Sequence, residues 1–520
     1  NALIGAYGDG DKGFYTGSAY YYKGLDSVSG NSTGLDALNG KNATNQTVKL
    51  LASDGAESNF FGYSVSLSGD NALIGAYCDG DKGTGTGSAY YYKGLDSVNR
   101  NSTTETVKLL ASDGTNGDYF GRSVSLSGDN ALVGVDEDRD KGTASGSAYY
   151  YKGLDSVNGN LTDIETLNGK NATYETVKLL ASDGAPYYHF GQSVSLSGDN
   201  ALVTGTYLYG THYDEEEGEV EDMGGAAYYY KKLDSVNGNL TDIETLNGKN
   251  ATYETVKLLP SDSAGNSSFG TARNSASMDG DRFVIGARYA RMNGVMVGKA
   301  YAGDIRAFTT LDADNGTGTA LATDGLSFVS QTDWIIGATN ANNTVTLTAG
   351  DTATVTADGK AVYIGQTAGA DNNTLIIEGT LTATTVKVGA ADTVGNTLRF
   401  TEAALDTLDV VGTVYLDAGN YLEFEGADLD VDDVLTLLNG TATVQVRGSS
   451  SEGWATLDAQ NAATLLAKTG EVVYGDNGTW TRFTTFSAPA VPEPAGWTAL
   501  AGLMLLVYAL VLRRQRGKRV

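Results

Sequence analysis

The chain has 520 residues, including 68 glycines, five prolines and one cysteine, Cys78. Its 63 acidic and 35 basic side chains give a net charge of −28, which excludes nucleic acid as a partner because such a surface repels phosphates. A single cysteine excludes an internal disulfide framework and a cysteine-cluster metal site. The length allows about two to four domains, and the Gly-, Asn- and Asp-rich composition predicts an all-β fold with tight turns.

A long phrase recurs along residues 1–308. Its Phe-Gly step begins at Phe61, Phe120, Phe190 and Phe269, at spacings of 59, 70 and 79 residues. Within one unit, alternating apolar residues bounded by turn residues predict four strands, at 47–52, 64–68, 72–77 and 88–93. Four strands per unit is the organisation of a propeller blade. Residues 1–7 align with residues 71–77, inside a unit, so the propeller is expected to be N-terminally incomplete in this chain.

Acidic loops follow the third predicted strand of three units. Their carboxylates are Asp9, Asp11, Asp79, Asp81, Asp136, Asp138 and Asp140. Alternate carboxylates on a flexible loop can converge on Ca²⁺, which takes about six to eight oxygen ligands. These loops lack the terminal bidentate Glu of a calcium loop and contain Lys and Arg. A calcium site and a solvated turn therefore both stay open as interpretations.

Other residues bear on catalysis and on sugar binding. Only His189 and His212 are available for histidine-based chemistry, and the sequence has no Ser-His-Asp arrangement, phosphate-binding Gly loop or zinc motif. The protein is therefore predicted not to be an enzyme. The alternative is an extracellular polysaccharide lyase or glycosidase, since such enzymes can act with carboxylates. Tyrosine triplets such as residues 20–22 either pack between blades or offer rings to a sugar.

A second, shorter repeat characterises residues 331–486. Asn373, Asn396 and Asn420 each begin an alternating strand, at steps of 23 and 24 residues. Stacking one such strand per coil would bury a continuous apolar column, which predicts a β-helix or β-solenoid. Residues 309–330, rich in Gly, Thr and Asp, are interpreted as a linker or a decayed blade.

The last segment, residues 487–520, has three parts. Pro492, Glu493 and Pro494 precede an apolar run at 497–512, and basic residues follow it. The run spans about 24 Å as a helix, and snorkelling arginine extends it toward the roughly 30 Å hydrocarbon core. We expect one C-terminal transmembrane helix whose basic end stays cytoplasmic, with the rest of the chain exported.

The Phe-Gly phrase resembles the FG-GAP repeat, which forms the blades of integrin α-chain propellers and of many bacterial surface proteins. The resemblance implies a β-propeller outside the cell that serves adhesion or ligand binding. Integrin-type blades carry an Asp-rich calcium loop before one strand, where this chain has only residues 68–71 and their copies. Inherited calcium binding is therefore not expected.

The tail is similar to a PEP-CTERM sorting signal, with Pro492, Glu493 and Pro494 matching its motif. This resemblance implies processing by an exosortase-type membrane transpeptidase in a Gram-negative bacterium that makes exopolysaccharide and biofilm. Taken together, the two resemblances imply a structural or adhesion protein of the cell surface, outer membrane or extracellular matrix. Its expected ligand is exopolysaccharide or a surface protein.

Overall fold

The computed structural model describes most of the chain up to residue 485. The described residues are 1–25, 47–99, 101–157, 164–167, 170–214, 218–235, 243–246, 249–261, 269–271, 275–288, 291–292, 295–296, 298–313, 319–401, 404, 412–425, 443–447, 454–458, 465–473 and 479–485. Within these ranges, no helix has the length and apolar character needed to cross a membrane. The predicted span at 497–512 and the predicted sorting motif lie outside the described residues.

The described residues between 1 and 304 form strands, most of them short, as the turn-rich composition predicts. They are β1 (Ala2–Ala6), β2 (Ser18–Tyr22), β3 (Val48–Leu51), β4 (Ser64–Ser68), β5 (Asn71–Ala76), β6 (Ser88–Tyr92), β7 (Ser102–Thr104), β8 (Val107–Leu110), β9 (Ser123–Ser127), β10 (Asn130–Val135), β11 (Ser147–Tyr151), β12 (Ile164–Leu167), β13 (Lys170–Tyr174), β14 (Val177–Leu180), β15 (Ser193–Ser197), β16 (Asn200–Asp214), β17 (Gly218–Tyr230), β18 (Ile243–Leu246), β19 (Lys249–Tyr253), β20 (Val256–Pro260), β21 (Ala276–Asp279), β22 (Arg282–Ala287), β23 (Arg291–Met292), β24 (Val295–Met296) and β25 (Lys299–Asp304). Short 3-10 helices lie at Leu95–Ser97, Leu154–Ser156, Leu233–Ser235 and Ile305–Phe308.

The strands form five successive units. Unit 2 places β4, β5, β6 and β8 side by side in antiparallel order. Unit 3 repeats this order with β9, β10, β11 and β14, and unit 4 with β15, β16, β17 and β20. Unit 1 contributes β1, β2 and β3, and unit 5 contributes β21, β22 and β25. Four strands per unit are found in units 2, 3 and 4, but the predicted grouping was wrong: the strand predicted at 47–52 is β3, which pairs with β2 of unit 1, and β8 takes the fourth place in unit 2.

Serine side chains join each unit to the next along the edge strands β4, β9, β15 and β21. Ser66 Oγ accepts a hydrogen bond from the backbone N–H of Leu126, at 2.9 Å, and Ser125 Oγ accepts one from Leu196 at the same distance. Ser195 continues the series by accepting from Met278 at 2.8 Å. An edge strand otherwise presents unpaired backbone groups. The alternating serines therefore satisfy the edge of the neighbouring unit.

Apolar layers fill the space between units. Phe61 of the Phe-Gly step is fully buried, and its ring meets Tyr90 edge-on at 5.3 Å between ring centroids. Phe120 and Phe190 repeat this packing against Tyr149 and Tyr228. Burying such a ring contributes about 1.5–3 kcal/mol relative to exposure. The units thus stack with their edge strands side by side and apolar layers between them.

Between residues 310 and 485 the described strands form mainly parallel sheets. They are β26 (Thr310–Leu311), β27 (Ala320–Ala322), β28 (Leu326–Ser330), β29 (Trp334–Ile336), β30 (Thr344–Leu347), β31 (Thr352–Val355), β32 (Val362–Ile364), β33 (Thr374–Ile377), β34 (Thr380–Ala383), β35 (Thr385–Val388), β36 (Thr397–Phe400), β37 (Thr413–Leu416), β38 (Tyr421–Glu425), β39 (Thr443–Val446), β40 (Ala455–Thr456), β41 (Leu466–Val473) and β42 (Thr479–Thr485). The first three coils place one strand in each of three sheets, which confirms a β-solenoid segment.

Buried asparagines explain the solenoid repeat. Asn373 Nδ2 donates to Asn396 Oδ1 at 3.1 Å, and Asn396 Nδ2 donates to Asn420 Oδ1 at 2.9 Å. The same oxygens accept backbone N–H groups, so each amide links two coils. Gly365, with φ 75°, packs against the Asn396 amide, where a Cβ would overlap it. The asparagines therefore form a buried ladder of hydrogen bonds, and the periodic glycines leave room for its amide groups.

The solenoid begins directly on the stacked units. Residues 309–330, predicted as a linker or a decayed blade, contain β26, β27 and β28, which join the parallel sheets. The first coil therefore starts before residue 331. β28 also pairs antiparallel with β20 of unit 4 through five residue pairs from Val256↔Ser330 to Pro260↔Leu326. A continuous sheet thus connects the two regions.

Candidate functional site

The acidic loops lie where the sequence places them, after β1, β5 and β10. In unit 2, tight turns fold the loop back so that Gly87 N–H reaches the Asp79 carbonyl at 2.8 Å. The carboxylates of Asp79 and Asp81 converge, as predicted, and Asp54 from the end of unit 1 joins them. The oxygens of these three carboxylates lie within 4.8 Å of one another. The convergence depends on a residue of the preceding unit.

A lysine faces each group of carboxylates, and it is buried in units 2 and 3 and half-buried in unit 1. Lys108 on β8 is fully buried, and its Nζ lies 2.8 Å from Asp54 Oδ2 and 2.5 Å from Asp79 Oδ2, with Asp81 as its third partner. Lys178 occupies the equivalent position in unit 3, and Lys49 in unit 1. Lys178 pairs with Asp113, Asp138 and Asp140, and Lys49 pairs with Asp9 and Asp11.

The charges perturb one another in the expected directions. Burial raises the pKa of the Asp79 carboxyl, but the Lys108 ammonium outweighs it and the pKa falls below its usual range. Burial lowers the pKa of Lys108, but Asp79 and Asp54 raise it by more than burial lowers it. The net pKa is above the usual value, so this lysine stays charged. Burial raises the pKa of Asp81 despite the Lys108 contact. The clusters of units 2 and 3 are therefore largely buried ion networks, each with a lysine as its internal cation.

The calcium hypothesis stays a prediction, and this geometry bears on it. An ammonium group already donates to the carboxylates that Ca²⁺ would need in units 1, 2 and 3. Asp136, the remaining predicted ligand, pairs with Arg122 instead of a lysine. Both Asp136 oxygens accept from Arg122 at 3.1 Å, and burial raises the pKa of this carboxyl.

The tyrosine triplets serve packing between units. Tyr90, Tyr91 and Tyr92 are buried, as are the triplets at residues 149–151 and 228–230. Tyr90 hydroxyl donates to Asp79 at 2.6 Å, and Tyr91 hydroxyl donates to Asp155 of the next unit at 2.6 Å. Of the two interpretations of these triplets, the buried rings in units 2, 3 and 4 support the packing one.

A different set of aromatic residues reaches the surface. The aromatic patch consists of Tyr7, Phe14, Tyr15, Phe60, Tyr63, Tyr77 and Tyr119. These rings lie at one end of the edge strands, since Tyr63 precedes β4 and Tyr77 follows β5. Their contacts run without a break from unit 1 to unit 3, with centroid distances between 4.2 Å for Phe14–Tyr15 and 6.3 Å for Tyr7–Phe60.

Polar side chains continue the patch on unit 3. The Arg122 guanidinium lies 4.9 Å from the Tyr119 ring centroid and binds Asp136 and Glu137. His189 Nδ1 lies 3.2 Å from the Asp136 carbonyl and 3.7 Å from Glu137 Oε1. The unit 3 end of the aromatic patch thus borders on charged and polar side chains that include both hydrogen-bond donors and acceptors.

The sequence contains a signal for this patch that strand prediction does not use. Phe60, Tyr119 and His189 occupy one repeat position, immediately before the Phe-Gly step. All three have left-handed backbones, with φ of 56°, 60° and 47°. Bulky residues rarely adopt this conformation, and its presence is a pointer to function. An alignment of the units on this position would have predicted that the Phe60 and Tyr119 rings lie in equivalent places on neighbouring units.

The other candidates fall outside the site. Pro492, Glu493 and Pro494 lie beyond the described residues. The backbone of His212 pairs with Val220 in the long β16–β17 hairpin of unit 4.

Comparison with protein families identifies the repeats. Four segments match the FG-GAP repeat model, at residues 44–92, 103–151, 174–230 and 253–302. The first two matches begin near the outer strand of one unit and end with the third strand of the next. The matched segments cover less than half of the chain. No curated protein matches this sequence.

Proposed function

We propose that this protein is an exported structural and adhesion protein of a Gram-negative bacterium, held at the cell surface, outer membrane or extracellular matrix. The FG-GAP repeats, found at four positions, indicate a surface or adhesion-type repeat protein. In this proposal the repeats form a β-propeller that binds exopolysaccharide or a surface protein. The β-solenoid serves as a spacer.

The observation that carries the proposal is the pairing of β20 with β28. This contact makes one sheet of the last complete unit and the first solenoid coil. An elongated solenoid joined in this way holds the repeats at a distance from its far end. Such an arrangement suits presentation of a binding surface.

Sorting by an exosortase-type enzyme is a separate part of the proposal. Its support is the sequence of the tail, where Pro492, Glu493 and Pro494 precede an apolar run and a basic end. In this proposal the helix anchors the chain in the inner membrane before processing. The processed protein then reaches the surface or matrix.

Binding and turnover distinguish the proposal from the polysaccharide-active alternative. The purified full chain, kept in mild detergent, is incubated with exopolysaccharide from its host. Binding without new reducing or unsaturated ends is the expected result. The appearance of such ends would establish a lyase or glycosidase instead.

Fractionation of host cells tests the sorting. Substituting Ala for Glu493 is expected to leave full-length protein in the inner membrane, while Asp358→Ala, an exposed change in the solenoid, should not affect processing. Normal surface delivery of the Glu493→Ala protein would contradict exosortase sorting.

A further inference from the structure

We propose that the aromatic patch is a binding site for a strand of uncharged polysaccharide. This inference deepens the proposed adhesive function, on which it rests for the presence of an extracellular ligand. It assigns a ligand class and a location to that function. The site runs from Phe14 across Tyr15, Phe60 and Tyr77 to Tyr119.

Exposure at one end of the patch is the first observation. The Phe14 side chain is 70% exposed. The equivalent position to Phe14 holds Thr84 in unit 2 and Thr143 in unit 3, in loops with the same turn pattern. The loop therefore folds without an aromatic residue there. The Phe14 ring is available for a ligand.

Backbone strain is the second observation. Tyr15 has φ of 54° at the position where unit 2 has Gly85, with φ of 66°. Phe60 and Tyr119 are also left-handed. A glycine adopts this conformation at little cost, whereas a residue with a side chain costs free energy there. Three strained backbones in one patch hold aromatic rings where folding alone would favour glycine.

The chemistry of the patch selects the ligand class. An aromatic ring face is negative, so it attracts the C–H groups that cover one face of a sugar ring. A tyrosine hydroxyl can both donate and accept hydrogen bonds, as a sugar hydroxyl does. Arg122, Glu137 and His189 extend this capacity at the far end.

The charge of the protein favours a neutral polysaccharide over an acidic one. The Arg122 guanidinium is already paired with Asp136 and Glu137, so the polar end offers no excess positive charge. The whole chain carries a net charge of −28. A polyanionic glycan would be repelled. An uncharged chain meets the rings without this penalty.

Affinity electrophoresis tests the inference. The full chain in mild detergent is run through native gels that contain hydroxyethyl cellulose, dextran or galactomannan, with alginate as the acidic comparison. We expect retardation by at least one uncharged polysaccharide and none by alginate. Phe14→Ala should raise the apparent dissociation constant about tenfold, and a tenfold change corresponds to about 1.4 kcal/mol.

A matched control comes from the solenoid. Trp454 is 39% exposed and packs beside Tyr415 and Arg447, so Trp454→Ala removes a surface ring away from the patch. The apparent dissociation constant of the Trp454→Ala protein should stay within about twofold of that of the unsubstituted chain, because no ligand contact is lost. Thermal midpoints of all variants, measured in parallel, identify any loss caused by unfolding.

Three results would overturn the inference: no retardation by any uncharged polysaccharide, equal retardation by alginate, or equal weakening by Trp454→Ala. Surface location is measured separately, by protease accessibility on intact host cells. A protein that is surface-exposed but is not retarded would refute the glycan site and leave the adhesive function standing.

Discussion

Lys108 Nζ lies 2.8 Å from Asp54 Oδ2, across the boundary between unit 2 and unit 1. Asp54 belongs to the turn that follows β3, whereas Lys108 lies on β8 of the next sheet. The ion network therefore joins neighbouring units. Lys178 and Asp113 repeat the same connection one unit later, at 2.9 Å. The units depend on one another through these contacts as well as through their apolar layers.

Lys108→Met should destabilise the stacked units strongly. The substitution leaves three carboxylates without their cation, and breaking a buried pair in this way costs about 3–5 kcal/mol. The urea unfolding midpoint is the measurement. Lys93→Met is the control, because Lys93 is about half exposed and pairs with Asp155 at 3.3 Å; exposed pairs contribute about 0–1 kcal/mol. Equal effects of the two changes would show that the Lys108 network is not structurally important.

Removal of divalent cations tests the calcium hypothesis. Because Lys49, Lys108 and Lys178 donate to the loop carboxylates, we expect the thermal midpoint to be the same in Ca²⁺ and in EDTA. A bound ion would stabilise the native state by mass action. A midpoint that rises with Ca²⁺ concentration would establish the calcium site and show that the lysines move aside.

Asp118→Asn should stabilise the protein near neutral pH. Burial raises the pKa of Asp118 from 3.8 to about 6, although hydrogen bonds from Thr115 oppose it. The folded state binds this proton more tightly than the unfolded state, so the contribution to stability is present below about pH 4 and is lost as pH rises through 6. The loss is at most about 3 kcal/mol, since one pKa unit corresponds to about 1.4 kcal/mol.

Unfolding midpoints at pH 4 and pH 7 provide the measurement for Asp118. Unit 1 supplies the precedent, because Asn59 occupies the equivalent position and donates to Asp79 at 3.3 Å. The Asp118→Asn protein should therefore lose part of the decline in stability between these pH values. An unchanged pH dependence would assign the decline to other carboxyls.

Gly365→Ala should destabilise the solenoid more than Gly359→Ala. Both glycines are left-handed, with φ of 75° and 70°, so both changes carry a backbone cost of about 1 kcal/mol. A Cβ at Gly359 meets open space, whereas one at Gly365 overlaps the Asn396 amide. The difference in unfolding midpoint isolates the clash with the asparagine ladder. Equal unfolding midpoints would mean that the asparagine ladder accommodates the added Cβ at little cost.

Ser125→Ala tests the junction between units 3 and 4. It removes the acceptor of the Leu196 N–H and leaves a donor unpaired at the edge of β15. An unsatisfied buried donor costs about 1–3 kcal/mol. Hydrogen exchange at the Leu196 amide should accelerate. Ser156→Ala, an exposed change near the same unit, is expected to leave that exchange rate unaltered.

Local pattern determined much of the fold. The turn residues between β4 and β5, the alternation within each strand, and the Asn steps at 373, 396 and 420 all follow from short-range geometry, so four-stranded units and stacked coils were predictable. The acidic loops were also found from their spacing. The first residue of the solenoid was harder to predict from the sequence, because β28 is recognised as a strand by its pairing with β20.

Tertiary structure decided what those residues do. The sequence by itself showed Asp79 and Asp81 as neighbours on a loop, but Lys108 and Asp54 reach them only through the stacking of units. It also drew attention to the tyrosine triplets, whereas the exposed rings come from the ends of different strands. Repeat patterns record contacts within a strand or coil. Charge pairing and surface exposure depend on which units become neighbours, and this is fixed only when the sheets pack.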